Sequence, residues 1–200
     1  MPLHFHPDEF AARVAAATDV MAPRGLDAML LFAPESHYWL TGYDTFGFAM
    51  FQCMVLGADG DIHLLTRAPD LRQARFTSTL PNDHIHIWVD REGIDPGDNL
   101  RALLAGLGLL GKRFGIETDT VGLTARNWDM LRAALPTQRL EDASDLIRVL
   151  RRTKSPAEIA CHRRAAELAD DALDAGLTKT RAGAFEGCLL YTSPSPRDRS

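Results

Sequence analysis

Two hydrophobic periods alternate along the first 150 residues. Phe10, Val14, Ala17 and Met21 recur at helical spacing behind an acidic Pro7-Asp8-Glu9 start, which suits the positive end of a helix, and Pro23 and Gly25 close the segment. Ala28 to Phe32 (AMLLF) is short and continuously apolar, as a strand buried on both faces should be. Pro34 to Trp39 predicts a short helix closed by Thr41-Gly42. Phe48 to Leu56 and Ile62 to Thr66 then flank Ala58-Asp59-Gly60 and predict a β-hairpin. Asp70 to Phe76 can form a helix, and His84 to Val89 (HIHIWV) alternates with period two, as a half-buried strand does.

The alternation continues. Asp95-Pro96 precedes Leu100, Leu103, Leu104 and Leu107, an amphipathic helix ending near Gly108 and Gly111. Phe114 to Glu117 predicts a buried strand, Thr124 caps a helix carrying Trp128, Leu131 and Leu135, Arg139 to Glu141 reads as a weak strand, and Ser144 to Arg152 as a further helix. Helices and strands taking turns, with one hairpin included, predict an α/β fold: a mixed sheet with helices on both faces.

A new structural unit is expected at Ser155. Ser155-Pro156-Ala157-Glu158 has the form of a capping box with proline at the first helical position, and Ile159, Ala166, Ala169 and Leu173 mark the apolar stripe of a helix of roughly twenty residues. The expected organisation is an α/β domain over residues 1–150, then a linker and the opening of a second domain over residues 151–187. The last stretch, residues 188–200, breaks with both periods. Back-translated with one choice of codons, Cys188 to Asp198 resembles the transposase end and adapter used in short-read sequencing. It is expected to be a non-native tail, excluded from fold reasoning, with the natural protein interrupted near Gly187.

Composition narrows the partners. The chain carries a net charge of −5, and because Arg197, Asp198 and Arg199 of the tail contribute +1, residues 1–187 carry −6 without any basic run. That argues against nucleic acid as a partner. No apolar run reaches the roughly 18 residues of a membrane span and no secretory leader is recognisable, so a cytoplasmic location is expected. Cys53 and Cys161 have no metal-type neighbour in sequence and read as reduced, packed side chains. A Gly-x-Gly-x-x-Gly loop, a Walker loop, a Gly-x-Ser-x-Gly elbow and a Cys-x-x-Cys pair are all absent from the sequence.

The compact α/β segment followed by Arg151-Arg152-Thr153-Lys154-Ser155-Pro156-Ala157-Glu158, with Gly25-Leu26-Asp27-Ala28, Tyr38-Trp39-Leu40-Thr41-Gly42 and Arg163-Arg164-Ala165-Ala166, resembles the creatinase, prolidase and aminopeptidase P group over residues 8–187. The resemblance implies a ribonuclease-H-like N-terminal domain followed by the first helix of a pita-bread catalytic domain. It also implies a parent enzyme that hydrolyses a C–N bond, most simply in an Xaa-Pro peptide. The family's peptidases hold two divalent metals (Mn, Co or Zn) with two Asp, one His and two Glu, a set with no counterpart here, so this segment is expected to be inactive and to hold no cofactor.

Two alternatives stand beside that reading: a stand-alone α/β binding or oligomerisation module, and a hydrolase of small amidino or cyclic amides, or a lyase, on the same fold. The helix after Pro156 argues against the stand-alone module, since its stripe requires something to pack on. In family dimers the N-terminal domain of one subunit walls the substrate pocket of the other. By that analogy Tyr43, Asp44 and Phe46, in the Gly-flanked loop Tyr43 to Phe48, together with Arg67, are candidates for contact with a small peptide or amide substrate across a homodimer interface. The competing reading is core packing for Phe46 and Phe48 and turn formation for Asp44. His84-x-His86 and His4-x-His6 have chelating spacing but no third ligand nearby in sequence, so no metal site is assigned, and His84 to Val89 reads as an edge strand with one half-wet face.

Overall fold

The computed structural model describes residues 3–187; the adapter-like stretch 188–200 lies outside the described residues. The chain divides into two compact units between Thr153 and Lys154. In the first, α1 (Pro7–Met21), α2 (Pro34–Thr41), α3 (Leu71–Thr77), α4 (Pro96–Gly106), α5 (Ala125–Ala134) and α6 (Ser144–Leu150) surround six strands. These are β1 (Ala28–Leu31), β2 (Cys53–Gly57), β3 (Ile62–Arg67), β4 (Ile85–Trp88), β5 (Arg113–Ile116) and β6 (Arg139–Asp142), in the order β4-β3-β2-β1-β5-β6. The β1–β2 and β2–β3 pairs are antiparallel and the other three are parallel, so the sheet is mixed.

Strand alternation assigns the two faces. Met29, Leu31, Met54, Leu56, Ile62, Leu64 and Ile85 pack with residues of α1, α2, α3 and α6, whereas Ala28, Leu30, Cys53, Val55, Leu65, Trp88, Phe114 and Ile116 pack with α4 and α5. Period-two alternation therefore covers both faces with helices, as the hydrophobic pattern predicts. One strand is shorter than expected: β2 begins at Cys53 rather than Phe48, because Gly47–Ala49 forms a single 3-10 turn and the Gln52 side chain points into the core. A continuous apolar run does not distinguish a strand from a buried turn.

Local signals fix the helix starts. The Asp95 carboxylate accepts from Gly97 N to cap α4, and Thr124 Oγ1 accepts from Asn127 N to cap α5. α2 has no cap of its own. Glu117, just past β5, supplies one from across the sheet: one carboxylate oxygen accepts from Phe32 N (3.0 Å) and Ala33 N (2.8 Å), the other from Ser36 Oγ (2.5 Å). Arg13 of α1 is buried, donating to Trp39 O at 3.0 Å and pairing with Glu9 at 2.7 Å, its guanidinium 4.2 Å from the Phe5 ring centre. It ties α1 to α2.

In the second unit, α7 (Pro156–Lys179) opens with the expected capping box: Glu158 N donates to Ser155 Oγ at 3.1 Å and Ser155 N to the Glu158 carboxylate at 2.8 Å. Ile159, Leu168, Leu173 and Leu177 of this helix are exposed. No described helix is long and apolar enough to cross a membrane.

The Glu117 cap makes a stability prediction. Glu117→Ala removes the two oxygens that accept from three buried or half-buried donors and should cost about 3 kcal/mol or more, while Glu117→Gln keeps an acceptor for the backbone amides and should cost about 1 kcal/mol. Urea unfolding at neutral pH checks this; equal losses would mean that packing, not hydrogen bonding, holds the junction.

Candidate functional site

α2 ends in a left-handed glycine, Gly42 (φ 80°), where a Cβ would come within 3.0 Å of Thr77 O. The chain then enters a loop, residues 43–50, whose anchoring is polar and buried. Gln52 Nε2 donates to Tyr43 Oη at 2.8 Å and Thr66 Oγ1 at 2.7 Å. Thr45 Oγ1 accepts from Gly47 N at 2.8 Å, and Asp44 N donates to Thr77 Oγ1 at 3.3 Å. Gly47 packs so closely that an added Cβ would lie 2.8 Å from Asp70 Oδ2. Beneath the loop, Arg67 Nε lies 3.6 Å from Asp70 Oδ2, an ion pair below hydrogen-bond quality.

Under this layer lies His37, wholly buried, its ring stacked on Tyr43 with centroids 6.3 Å apart. Its Nε2 bonds Leu31 O at 2.9 Å, so the neutral ring carries its proton there and leaves Nδ1 without a hydrogen-bond partner. Burial pushes the His37 pKa down to about 4, against smaller opposing effects of the Leu31 carbonyl and Glu35. Burial likewise raises the Tyr43 phenol. His37 and Tyr43, at the base of the loop, are thus both held in their uncharged forms.

The sequence candidates separate accordingly. Tyr43 has no exposed surface and supports the loop rather than presenting itself. Arg67 is largely buried against Asp70. Asp44 is exposed, and Phe46 stands 83% exposed at the tip. Core packing is therefore not the role of Phe46, while Phe48 is half-buried. Gln52, Thr66, His37 and Asp70 are the residues that sequence reading missed. The apolar flanks of Gln52 gave the only hint, a lone amide inside a run that otherwise reads as core.

A second concavity, about 570 Å³, opens beyond the carboxyl ends of β1 and β5, where parallel sheets often bind ligands. Much of its charged lining is engaged: Glu117 accepts from Ser36, Ala33 and Phe32, with burial raising its pKa against those hydrogen bonds, and Arg148 pairs with Asp119 at 2.8 Å. Among the described residues, the one group of three potential metal ligands is Asp61, His63 and His84. It does not match a set of two Asp, one His and two Glu.

The six-stranded mixed sheet with helices packed on both faces is an α/β domain. The Creatinase/Prolidase N-terminal domain family matches residues 13–153, and the chain belongs to it. It is 32% identical over 162 residues to the ectoine hydrolase of Halomonas elongata, covering 78% of this chain and 41% of that protein. The fold matches the prolidase of Pyrococcus horikoshii with a TM-score of 0.70 at 20% identity, over 91% of this chain and 47% of that one. It also matches a proline dipeptidase chain from Streptococcus pneumoniae with a TM-score of 0.59 at 20% identity, over 70% of this chain and 98% of that one. The chain thus spans less than half of the full-length ectoine hydrolase and of the Pyrococcus prolidase.

The His37 environment predicts a pH dependence. Because the folded-state pKa lies below the ordinary 6.5, its contribution is complete above that value and is lost as pH falls toward about 4. The loss amounts to about 3 kcal/mol. His37→Gln should flatten the stability profile between these limits relative to the parent chain, measured by urea unfolding at each pH; parallel profiles would remove His37 as the titrating group.

Proposed function

We propose that this chain is the N-terminal, non-catalytic part of a longer hydrolase that cleaves a C–N bond in a small molecule, and that its loop 43–50 walls the substrate pocket of the other subunit in a homodimer. The observation that carries the reading is Phe46: a large aromatic held 83% exposed on a loop whose base is a buried hydrogen-bonded array. Exposing a phenyl ring forgoes about 2 kcal/mol of burial, and a rigid support for it makes sense if another surface covers the ring. Asp44 beside it offers a carboxylate to an amine or amidinium group.

Family membership supports the bond type, since the chain's relatives include a hydrolase of ectoine and its fold is that of prolidases. The two divalent metals of such a parent, Mn, Co or Zn, would be held in its catalytic part. The first substrate reading is an Xaa-Pro peptide. A second, a small compound such as ectoine, is favoured by the relative at 32% identity, which is nearer in sequence than the prolidase at 20%. We place the parent in the cytoplasm, on the free cysteines Cys53 and Cys161 and the acidic composition.

A long sequencing read through the codons for Ala184 to Gly187 tests the parentage. Continuation into a second domain carrying two Asp, one His and two Glu is expected; a natural gene that encodes the tail and stops would favour the stand-alone module. With the parent in hand, Phe46→Ala should lower kcat/KM by about tenfold, a barrier change near 1.4 kcal/mol, while unfolding stability stays within about 0.5 kcal/mol. Assays on Gly-Pro dipeptides and on ectoine separate the two substrate readings. Unchanged kinetics would remove Phe46 from the pocket wall.

A further inference from the structure

Parallel pairing of β3 and β4 sets Leu64 opposite Ile85 and Leu65 opposite His86. Asp61, just before β3, and His63 within it thereby come alongside His84, just before β4, and His86 within it. Each pair is spaced by two residues, so the side chains share the face toward α4, where His63 and Leu107 line one cavity and His86 and Leu103 another. His63 stands in the middle. Its ring stacks on His84 with centroids 4.2 Å apart at 19°, its Nε2 lies 3.0 Å from the Asp61 carboxylate, and its Nδ1 lies 3.1 Å from His86 Nε2. Asp61 also reaches His84, with Oδ1 3.3 Å from Nδ1, which lies 3.0 Å from Ile62 O. One donor atom each from Asp61, His63 and His84 lies within 4.8 Å of the others.

We propose that Asp61, His63 and His84 bind a divalent transition-metal ion of the zinc type, with His86 orienting His63 from behind. Two imidazoles and one carboxylate suit zinc, nickel or copper rather than magnesium or calcium, which prefer all-oxygen sets. The His63–His86 contact has the form that metal-bound histidines use: the far ring nitrogen is held by a hydrogen-bonding partner, which fixes the tautomer and aims the near nitrogen. His86 Nε2, 3.1 Å from His63 Nδ1, is placed to accept that hydrogen bond.

Stacked rings direct their lone pairs side by side, so loading requires the His84 ring to turn about its Cβ–Cγ bond until it converges with His63. His84 can do this, since it sits in a one-turn 3-10 helix, Asn82–His84, at the edge of the sheet, and its side chain is partly exposed. Three protein ligands leave a coordination position for water. The consequence for the fold is a clip. β4 is an edge strand paired on one side only, and the ion would join its start to the β2–β3 hairpin.

Calorimetric titration of the whole 200-residue chain with Zn²⁺ at neutral pH tests the proposal, with thermal unfolding read in parallel and Co²⁺ as a spectroscopic probe. One ion per chain is expected, with a higher Tm and a Co²⁺ visible spectrum of low-coordinate type. Asp61→Asn and His84→Asn should each weaken binding at least about tenfold and abolish the Tm rise, His86→Asn should weaken it by a similar factor, and His4→Asn with His6→Asn should change nothing. Asp61 is half-exposed and His84 precedes the strand, so both variants keep the fold; circular dichroism verifies this, and the proposal does not depend on His63 variants. Absence of saturable binding overturns it, as does binding that survives both Asp61→Asn and His84→Asn or vanishes in the His4 and His6 control.

Discussion

The first unit depends on one buried carboxylate. Glu117 lies past the end of β5 and accepts from two backbone amides and one hydroxyl at the junction of β1 and α2. Phe32 N lies just before the N-cap residue of α2 and Ala33 N on it, so the hydrogen bonds within α2 meet neither. By meeting them from the neighbouring strand, Glu117 couples the parallel β1–β5 pair to the direction in which α2 leaves the sheet. Burial alone would favour the neutral acid, and the three hydrogen bonds oppose that tendency.

The direction of α2 then decides where the loop goes. Arg13 holds α2 against α1, Gly42 turns the chain at the helix end, and Tyr43 is caught between the His37 ring and the Gln52 amide. The loop is therefore an extension of the sheet's packing rather than a free connection. Its exposed polar and aromatic side chains are a carboxylate, Asp44, and a phenyl ring, Phe46. Rigid display of a few side chains on a loop is how scaffolds of this class position binding groups at little entropic cost on association.

Most of the architecture was legible in the chain because its signals are local. Period-two runs, proline and glycine stops and the capping residues Asp95, Thr124 and Ser155 act within a few residues, and each reappears as a hydrogen bond. Failures came where partners are distant. The 3-10 turn at Gly47 depends on Asp70 and Gln52, the α2 cap comes from 84 residues away in Glu117, and the company that His84 keeps, Asp61 and His63, arrives through strand pairing. The loop candidates were half legible: aromatic and acidic content marked the segment, but only packing separates Tyr43, a support, from Phe46, a displayed group.

Loop 43–50 is proposed to face the substrate pocket of a second subunit. Photo-crosslinking from a benzoyl-phenylalanine placed at position 46 of the full-length parent measures this directly. Crosslinks between subunits that map to the catalytic part of the partner, and that a bound substrate analogue suppresses, are expected. Crosslinks confined to the same chain, or none, would contradict it.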